Sequence, residues 1–360
     1  MKTCVILGTR PEIIKMAPVV RELEKRKADH FMIHTGQHYS YEMDRVFFEE
    51  LALPEPRYNL NVGSGSHGTQ TGSILQGIEA VLIRERPDVV LVQGDTNTVL
   101  AGALAAAKLE IGVGHVEAGL RSFDRKMPEE VNRILADHVS DLLFAPTEVS
   151  KENLLKEGIG EERIFVTGNT VVDSLRQNLA ISEERSKVLE GLHLEKGGYV
   201  LATMHRQENV DEPKRLGSMM TAVSRTAARM GLPAILPLHP RTRKNVTSFK
   251  IALPENMTVM DPVGYMDFIQ LEAHARLVMT DSGGLQEEAC ILGVPCVTMR
   301  DSTERPETVD VGANVLAGVE EDGIVAAAKE MSSRPADWTC PLGDGLASVR
   351  IIDILEKYYK

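Results

Sequence analysis

Cysteine is scarce in this chain of 360 residues: Cys4, Cys290, Cys296 and Cys340 show no metal-type pairing and are too few for a disulfide scaffold. They read as reduced, mostly buried thiols. An excess of cations is also missing. Lys and Arg number 40 against 52 Asp and Glu, a net charge of −12 with a pI near 5.4. That excludes the basic face a nucleic acid or an anionic membrane needs. Long apolar runs are lacking too. The Ala-rich stretch Val99–Ala107 is cut by Lys108, well short of the ~20 residues of a membrane span. Val5-Ile6-Leu7 is ended by Gly8, Arg10 and Pro11 before it can serve as the apolar core of an export signal. A cytoplasmic protein without a membrane partner is expected. Finally, the chain has neither G-x-G-x-x-G nor a Walker A loop, which weakens nicotinamide and P-loop readings.

What is present is an ordinary globular composition, 43% hydrophobic and 26% charged, in a length that suits two domains. Short β-branched runs alternate with helical patterns. Thr3–Leu7, Phe31–His34, Val89–Val92, Gly112–Val116, Leu142–Phe144 and Ile164–Val166 read as buried parallel strands. Ile13, Met16, Ala17, Val20 and Leu23 share one helical face, as do Ile74, Ile78, Val81 and Leu82. After Gly168 the rhythm restarts, with strands at Tyr199–Ala202, Ala234–Leu236, Thr258–Met260, Leu277–Met279 and Cys296–Thr298. Two such series predict two doubly wound parallel-sheet α/β domains, Rossmann-like, with a cleft between them. The joint is placed at Gly168-Asn169-Thr170. A last amphipathic helix, with Ala347, Ile351, Ile354, Leu355 and Tyr358 on one face, can pack on either domain.

Doubly wound sheets bind ligands beyond the carboxyl ends of their strands, so polar residues just after each strand are the candidates. Gly8-Thr9-Arg10-Pro11-Glu12 opens a helix whose first position suits Pro11; Arg10 and Lys15 either bind phosphate there or are solvated cations on a capped helix. Asp95, in Gln93–Thr98, is an acid or merely an N-cap. Glu117, between glycines at a buried strand's end, must be catalytic or salt-bridged, with Arg121 as the bland partner. His115 with Glu117 would need further ligands to hold a metal, and no metal is assigned. Glu129 and Glu130 open a helix, where acids complement the dipole, yet Asp95, Glu117 and Glu129 together invite acid/base chemistry.

The second half offers Met204-His205-Arg206 and His239-Pro240-Arg241 after strands. In Asp281–Glu288 a strand turns into a helix through Ser282-Gly283-Gly284, whose bare amides can seat a diphosphate, and Glu288, one turn in, can accept from ribose hydroxyls. A tight turn without ligand is the plainer alternative. Arg300 and Arg305 add cations at the same edge.

These segments, with Thr167-Gly168-Asn169-Thr170, Thr303–Glu307 and Gly343-Asp344-Gly345 in the same order, closely resemble the non-hydrolysing UDP-N-acetylglucosamine 2-epimerases. The resemblance implies the glycosyltransferase-B architecture, with residues 1–168 plus 345–360 as the domain carrying the acids and 169–344 as the UDP-binding domain. It implies reversible conversion of UDP-GlcNAc to UDP-ManNAc by loss and re-addition of UDP through 2-acetamidoglucal, without a cofactor, in a homodimer. By the same resemblance Asp95, Glu117, Glu129 and His205 are catalytic. Arg10, Lys15, Ser282, Gly283, Gly284, Glu288 and Arg305 contact ligand, and Phe268 lies near the uracil. The chain departs from bacterial members in its shorter Arg121–Pro128 segment, in Gln207 and Leu342, and at Gln37–Tyr41. Its Gly63–Gln70 stretch lacks the basic residue of their activating site. A hydrolysing relative would carry Arg-Ala-Asp at the first turn, a glycosyltransferase would need an acceptor site, and a UDP-sugar sensor would not need three acids.

Overall fold

The computed structural model describes residues 1–37, 41–303 and 305–359, leaving aside the side chains of residues 41–44 and 46. The unusual His38-Tyr39-Ser40 and Glu304 of the Thr303–Glu307 motif lie outside the described residues. By its contacts the chain divides into one unit of Met1–Gln177 with Leu342–Lys360 and another of Asn178–Pro341.

In the first unit the strands are β1 (Lys2–Leu7), β2 (Asp29–His34), β3 (Tyr58–Asn59), β4 (Val89–Gln93), β5 (Gly112–Val116), β6 (Leu142–Ala145) and β7 (Ile164–Val166), in the order β3-β2-β1-β4-β5-β6-β7. In the second they are β8 (Val200–Thr203), β9 (Ala234–Pro237), β10 (Met257–Met260), β11 (Leu277–Thr280), β12 (Cys296–Thr298) and β13 (Asn314–Leu316), in the order β10-β9-β8-β11-β12-β13. All pairings are parallel. Val5, Leu7, Val90, Leu91, Val113, Leu201, Leu277 and Val278 are fully buried, as expected of strands covered on both faces. The strand order of each sheet reverses once, between β1 and β4 and between β8 and β11, and these are the positions where such sheets take ligands.

The short edge strands β3 and β13 are absent from the sequence-based assignment, since Tyr58–Asn59 is only two residues long and Asn314–Leu316 opens on a polar residue rather than as a continuous apolar run. The expected joint at 168–170 marks the start of the helix Thr170–Arg185, but the division falls inside that helix. Its first turns are bonded within the first unit: Ser174 Oγ donates to Ile14 O at 2.7 Å, and Asp173 accepts from the Ser348 amide and hydroxyl at 2.8 and 2.7 Å. Its last turns belong to the second unit, where Gln270 Nε2 donates to Ser182 Oγ at 2.7 Å. Asp173 thus caps the terminal helix Ala347–Tyr358. That helix buries Ala347, Ser348, Ile351, Ile352 and Leu355, whereas Tyr358 is exposed, so the buried stripe is rotated from the expected one.

Candidate functional site

In the first unit the β1 and β4 ends are bound to each other by one buried side chain. Thr9 caps the helix Arg10–Lys25, and Glu12 reaches back, accepting from the Gly8 and Thr9 amides at 2.5 and 3.2 Å. Its other oxygen accepts from Thr96 Oγ1 at 2.5 Å, fastening the turn that holds Asp95. Burial pushes the Glu12 carboxyl up to about 7. Pro11 is therefore the second residue of the helix rather than the first, and Thr96, not Asp95, caps the helix Asn97–Lys108.

Glu117 lies just beyond β5, buried, with φ at 70°, a left-handed conformation that a side chain adopts at a cost of order 1–3 kcal/mol. The turn is fixed because the Glu117 and Ala118 amides both donate to Phe144 O, at 3.1 and 3.2 Å. The following Gly119 has no room for a side chain, since a Cβ would sit 2.3 Å from Ser150 O. Both Glu117 oxygens accept from Lys15 Nζ, at 2.7 and 2.8 Å, and Gln93 Nε2 donates to one of them. Asn169 Nδ2 reaches the other at 3.4 Å. The partner of Glu117 is therefore Lys15, not Arg121. Arg121 pairs with Asp137 and Glu157, each at 2.7 Å, because the turn after Glu117 carries it towards the helix Pro128–Val139.

Asp95 pairs with Arg133 at 2.5 Å, and its carbonyl accepts from Asn132 Nδ2 at 2.9 Å. Burial raises the Asp95 carboxyl, Arg133 opposes that, and the nearby Glu117 charge reinforces it. Glu129 is half-buried in the first turn of the same helix and makes no hydrogen bond or ion pair among the described residues. Its neighbour Glu130 is the structural acid. It is buried and accepts from the Ser122 and Phe123 amides at 2.9 and 3.0 Å and from Arg133 at 2.8 Å.

His115 is no metal ligand. Its Nδ1 meets Asp137 at 2.7 Å and its Nε2 meets Gly94 O at 2.8 Å, so both nitrogens face acceptors. Burial disfavours the charged ring, but Asp137 outweighs it and raises the His115 pKa. Among the described residues no cluster of His, Cys, Asp and Glu could hold a metal ion.

The second unit is furnished differently. Asp281, fully buried at the end of β11, accepts from the His205 amide at 3.1 and 3.2 Å, the Arg206 amide at 3.1 Å and Asn209 Nδ2 at 3.1 Å. It also holds His205 Nδ1 at 3.1 Å, which leaves the half-exposed imidazole its Nε2 side for a ligand. Burial works against the Asp281 charge, yet the His205 and Asn209 bonds lower its pKa. Ser282 caps the helix Gly283–Leu292, receiving the Leu285 amide at 3.5 Å. At Gly284 a Cβ would meet only Ser282 Oγ, at 3.8 Å, so packing does not demand a glycine, whereas close approach of a ligand to the amides would. A cavity of about 220 Å³ lies against this helix start, lined by His205, His239, Phe268, Ser282 and Leu285 among others. Arg305 pairs with Glu287 at 2.5 Å, and Glu288 is partly exposed on the same helix.

The structure thus gathers Lys15, Asp95 and Glu117 at one switch point and His205, Phe268 and Ser282 at the other. Gln93, Arg133 and Asp281 were not assigned from sequence. Each carried a positional signal: Gln93 and Asp281 are strand-end polar residues, and Arg133 stands one turn beyond Glu129.

A family model described as UDP-N-acetylglucosamine 2-epimerase matches residues 21–356. The UDP-N-acetylglucosamine 2-epimerase of Methanocaldococcus jannaschii is 54% identical over 361 residues, covering 99% of each chain. Its solved structure covers 99% of this chain and 100% of its own, with a TM-score of 0.93 and 52% identity. A second structure of that relative, in complex with UDP-GlcNAc and UDP, aligns with a TM-score of 0.83 at 53% identity, over 99% of this chain and 100% of its own. No helix of the described residues is long and apolar enough to cross a membrane.

Proposed function

The chain belongs to the UDP-N-acetylglucosamine 2-epimerase family, and from that premise we propose that it interconverts UDP-GlcNAc and UDP-ManNAc without hydrolysis and without a redox cofactor. The observation that carries this reading is the strained, buried Glu117 clamped by Lys15 beside the raised carboxyl of Asp95. The complex of the M. jannaschii relative with UDP-GlcNAc and UDP supports the choice of ligand.

The C2 proton of UDP-GlcNAc is not adjacent to a carbonyl, so direct removal is prohibitively hard. Breaking the anomeric C–O bond first gives oxocarbenium character that acidifies C2. UDP leaves, 2-acetamidoglucal forms, and UDP adds back as C2 is reprotonated on the other face. Asp95, Glu117 and Glu129 would stabilise the positive charge and move the protons. The Gly283 and Gly284 amides, the Ser282 hydroxyl and His205 would take the departing diphosphate, with Arg10 and Arg305 adding charge. Phe268 would lie against the uracil and Glu288 would accept from the ribose hydroxyls. Lys15, read from sequence as a phosphate ligand, is better placed to govern Glu117, which it contacts directly. The proposed enzyme works as a homodimer with no nucleic-acid partner.

Incubation of the purified protein with UDP-GlcNAc alone tests the proposal. UDP-ManNAc at equilibrium with UDP-GlcNAc is expected. Release of free ManNAc and UDP would show a hydrolase, and no turnover would leave a UDP-sugar sensor.

A further inference from the structure

The helices Tyr265–Ala273 and Gly283–Leu292 pack side by side in the second unit. At one level they present Phe268 and Leu285 to the cavity. One turn further on, at the spacings that keep side chains on one helical face, are Glu272 and Glu288. Glu272 has no exposed surface, whereas Glu288 is partly exposed. Neither carboxyl oxygen of Glu272 receives an amide, hydroxyl or cation among the described residues. Its titratable neighbours are the Glu288 carboxyl and the Cys296 thiol on β12. Two ionised carboxylates facing each other are both acceptors and repel. A proton on one of them turns that repulsion into a hydrogen bond, and burial puts it on Glu272.

We infer that Glu272 is a positioning residue, a neutral carboxylic acid whose O–H holds the Glu288 carboxylate where it accepts the ribose hydroxyls of UDP. The inference rests on the proposed reading of Glu288 as the ribose acceptor. Burial, then the facing Glu288 charge, raises the Glu272 pKa well above the usual carboxylate range, which favours the protonated donor. An ionised Glu272 would instead repel Glu288 and could not orient it. The pair therefore makes recognition of the diol depend on a residue that never touches the ligand.

The test compares UDP with 2′,3′-dideoxy-UDP by titration calorimetry on the full chain. The wild type should prefer UDP by about tenfold or more, the order of one lost charge-assisted hydrogen bond. Glu272→Leu should lose most of that preference with dideoxy-UDP affinity unchanged. Glu272→Gln, which keeps a donor and the shape, should retain it. A purely structural role would weaken both ligands equally, and that result overturns the inference. So does a Glu272→Leu variant that keeps the wild-type preference. If the preference survives in Glu288→Ala, the ribose reading fails and takes the inference with it. If it is lost in Glu288→Ala but kept in Glu272→Leu, only the inference fails. An infrared difference spectrum, wild type minus Glu272→Gln at pH 8, should show a protonated carboxyl band whatever the stability of the leucine variant. Its absence also overturns the inference.

Discussion

The two sheets reverse at equivalent points, yet the side chains placed there are of opposite kinds. Where β1 meets β4, charge is concentrated and buried: Lys15 on Glu117, Arg133 on Asp95, and Glu12 fastening the Asp95 turn from below. Where β8 meets β11, the fully buried charge of Asp281 spends itself on main-chain amides and His205, and the open ground is a helix start, an imidazole and an apolar cavity. Carboxylates held in a largely buried cluster, with the Asp95 pKa raised by burial and by the Glu117 charge, suit proton transfer. Bare amides beside an aromatic ring suit holding a nucleotide diphosphate. On the proposed reading one fold, used twice in one chain, supports reactivity in one unit and binding in the other, and the difference resides in a few residues after the strands.

The sharpest way to break this contrast is at Glu117. Glu117→Gln should lower turnover by roughly 10²–10⁴-fold while leaving UDP affinity nearly unchanged, because the proposed site loses its acid/base function while its proposed diphosphate contacts stay intact. Asp95→Asn and Glu129→Gln should fall in the same range, measured as initial rates beside UDP titrations. Near-normal turnover in all three would reduce them to caps and ion-pair partners.

Next in size is a stability effect in the other unit. Asp281→Asn removes a buried acceptor of several amides and should cost about 2–3 kcal/mol, read by denaturant unfolding. Since the folded Asp281 pKa is depressed, its contribution is fully present above the unfolded value near 4 and is lost as pH falls through the folded one. The gap between wild type and variant should therefore narrow in acid. A gap that widened would contradict the assigned hydrogen bonds.

The smallest change separates fold from ligand most cleanly. Gly284→Ala meets no close packing and no left-handed φ, so unfolding should shift by no more than about 0.5 kcal/mol. UDP affinity should nevertheless fall by about tenfold, because the methyl group intrudes on the amides. Unchanged affinity would remove the helix start from the cradle.

Sequence made one part of this contrast easier to read than the other. The strands that build the switch points announce themselves as β-branched runs, and strand-end acids and glycines follow directly from them. The Lys15–Glu117 pair joins residues 102 positions apart, and no local pattern reports which cation reaches a buried acid. Arg121 was the nearer choice in sequence, but the left-handed turn at Glu117 carries it to Asp137 instead. Asp137 itself sits beside Ala136 on a helix, where spacing alone cannot distinguish an anchor for His115 from a surface acid. Glu272 was invisible for the same reason. It is one acid in an otherwise apolar helical face, and its meaning comes only from Glu288 across the helix pair.

The measurement closest to the central claim is the isotopic content of C2 after reaction in deuterated water. UDP-GlcNAc is converted with the intact enzyme, and the UDP-ManNAc formed early is examined by NMR and mass spectrometry. If the buried carboxylates of the first unit take the proton while the second unit holds UDP, the new product carries deuterium at C2, and acetamidoglucal with UDP accumulates slowly over long incubation. UDP-ManNAc that keeps its original C2 hydrogen would contradict proton transfer to these acids and the division of labour built on it.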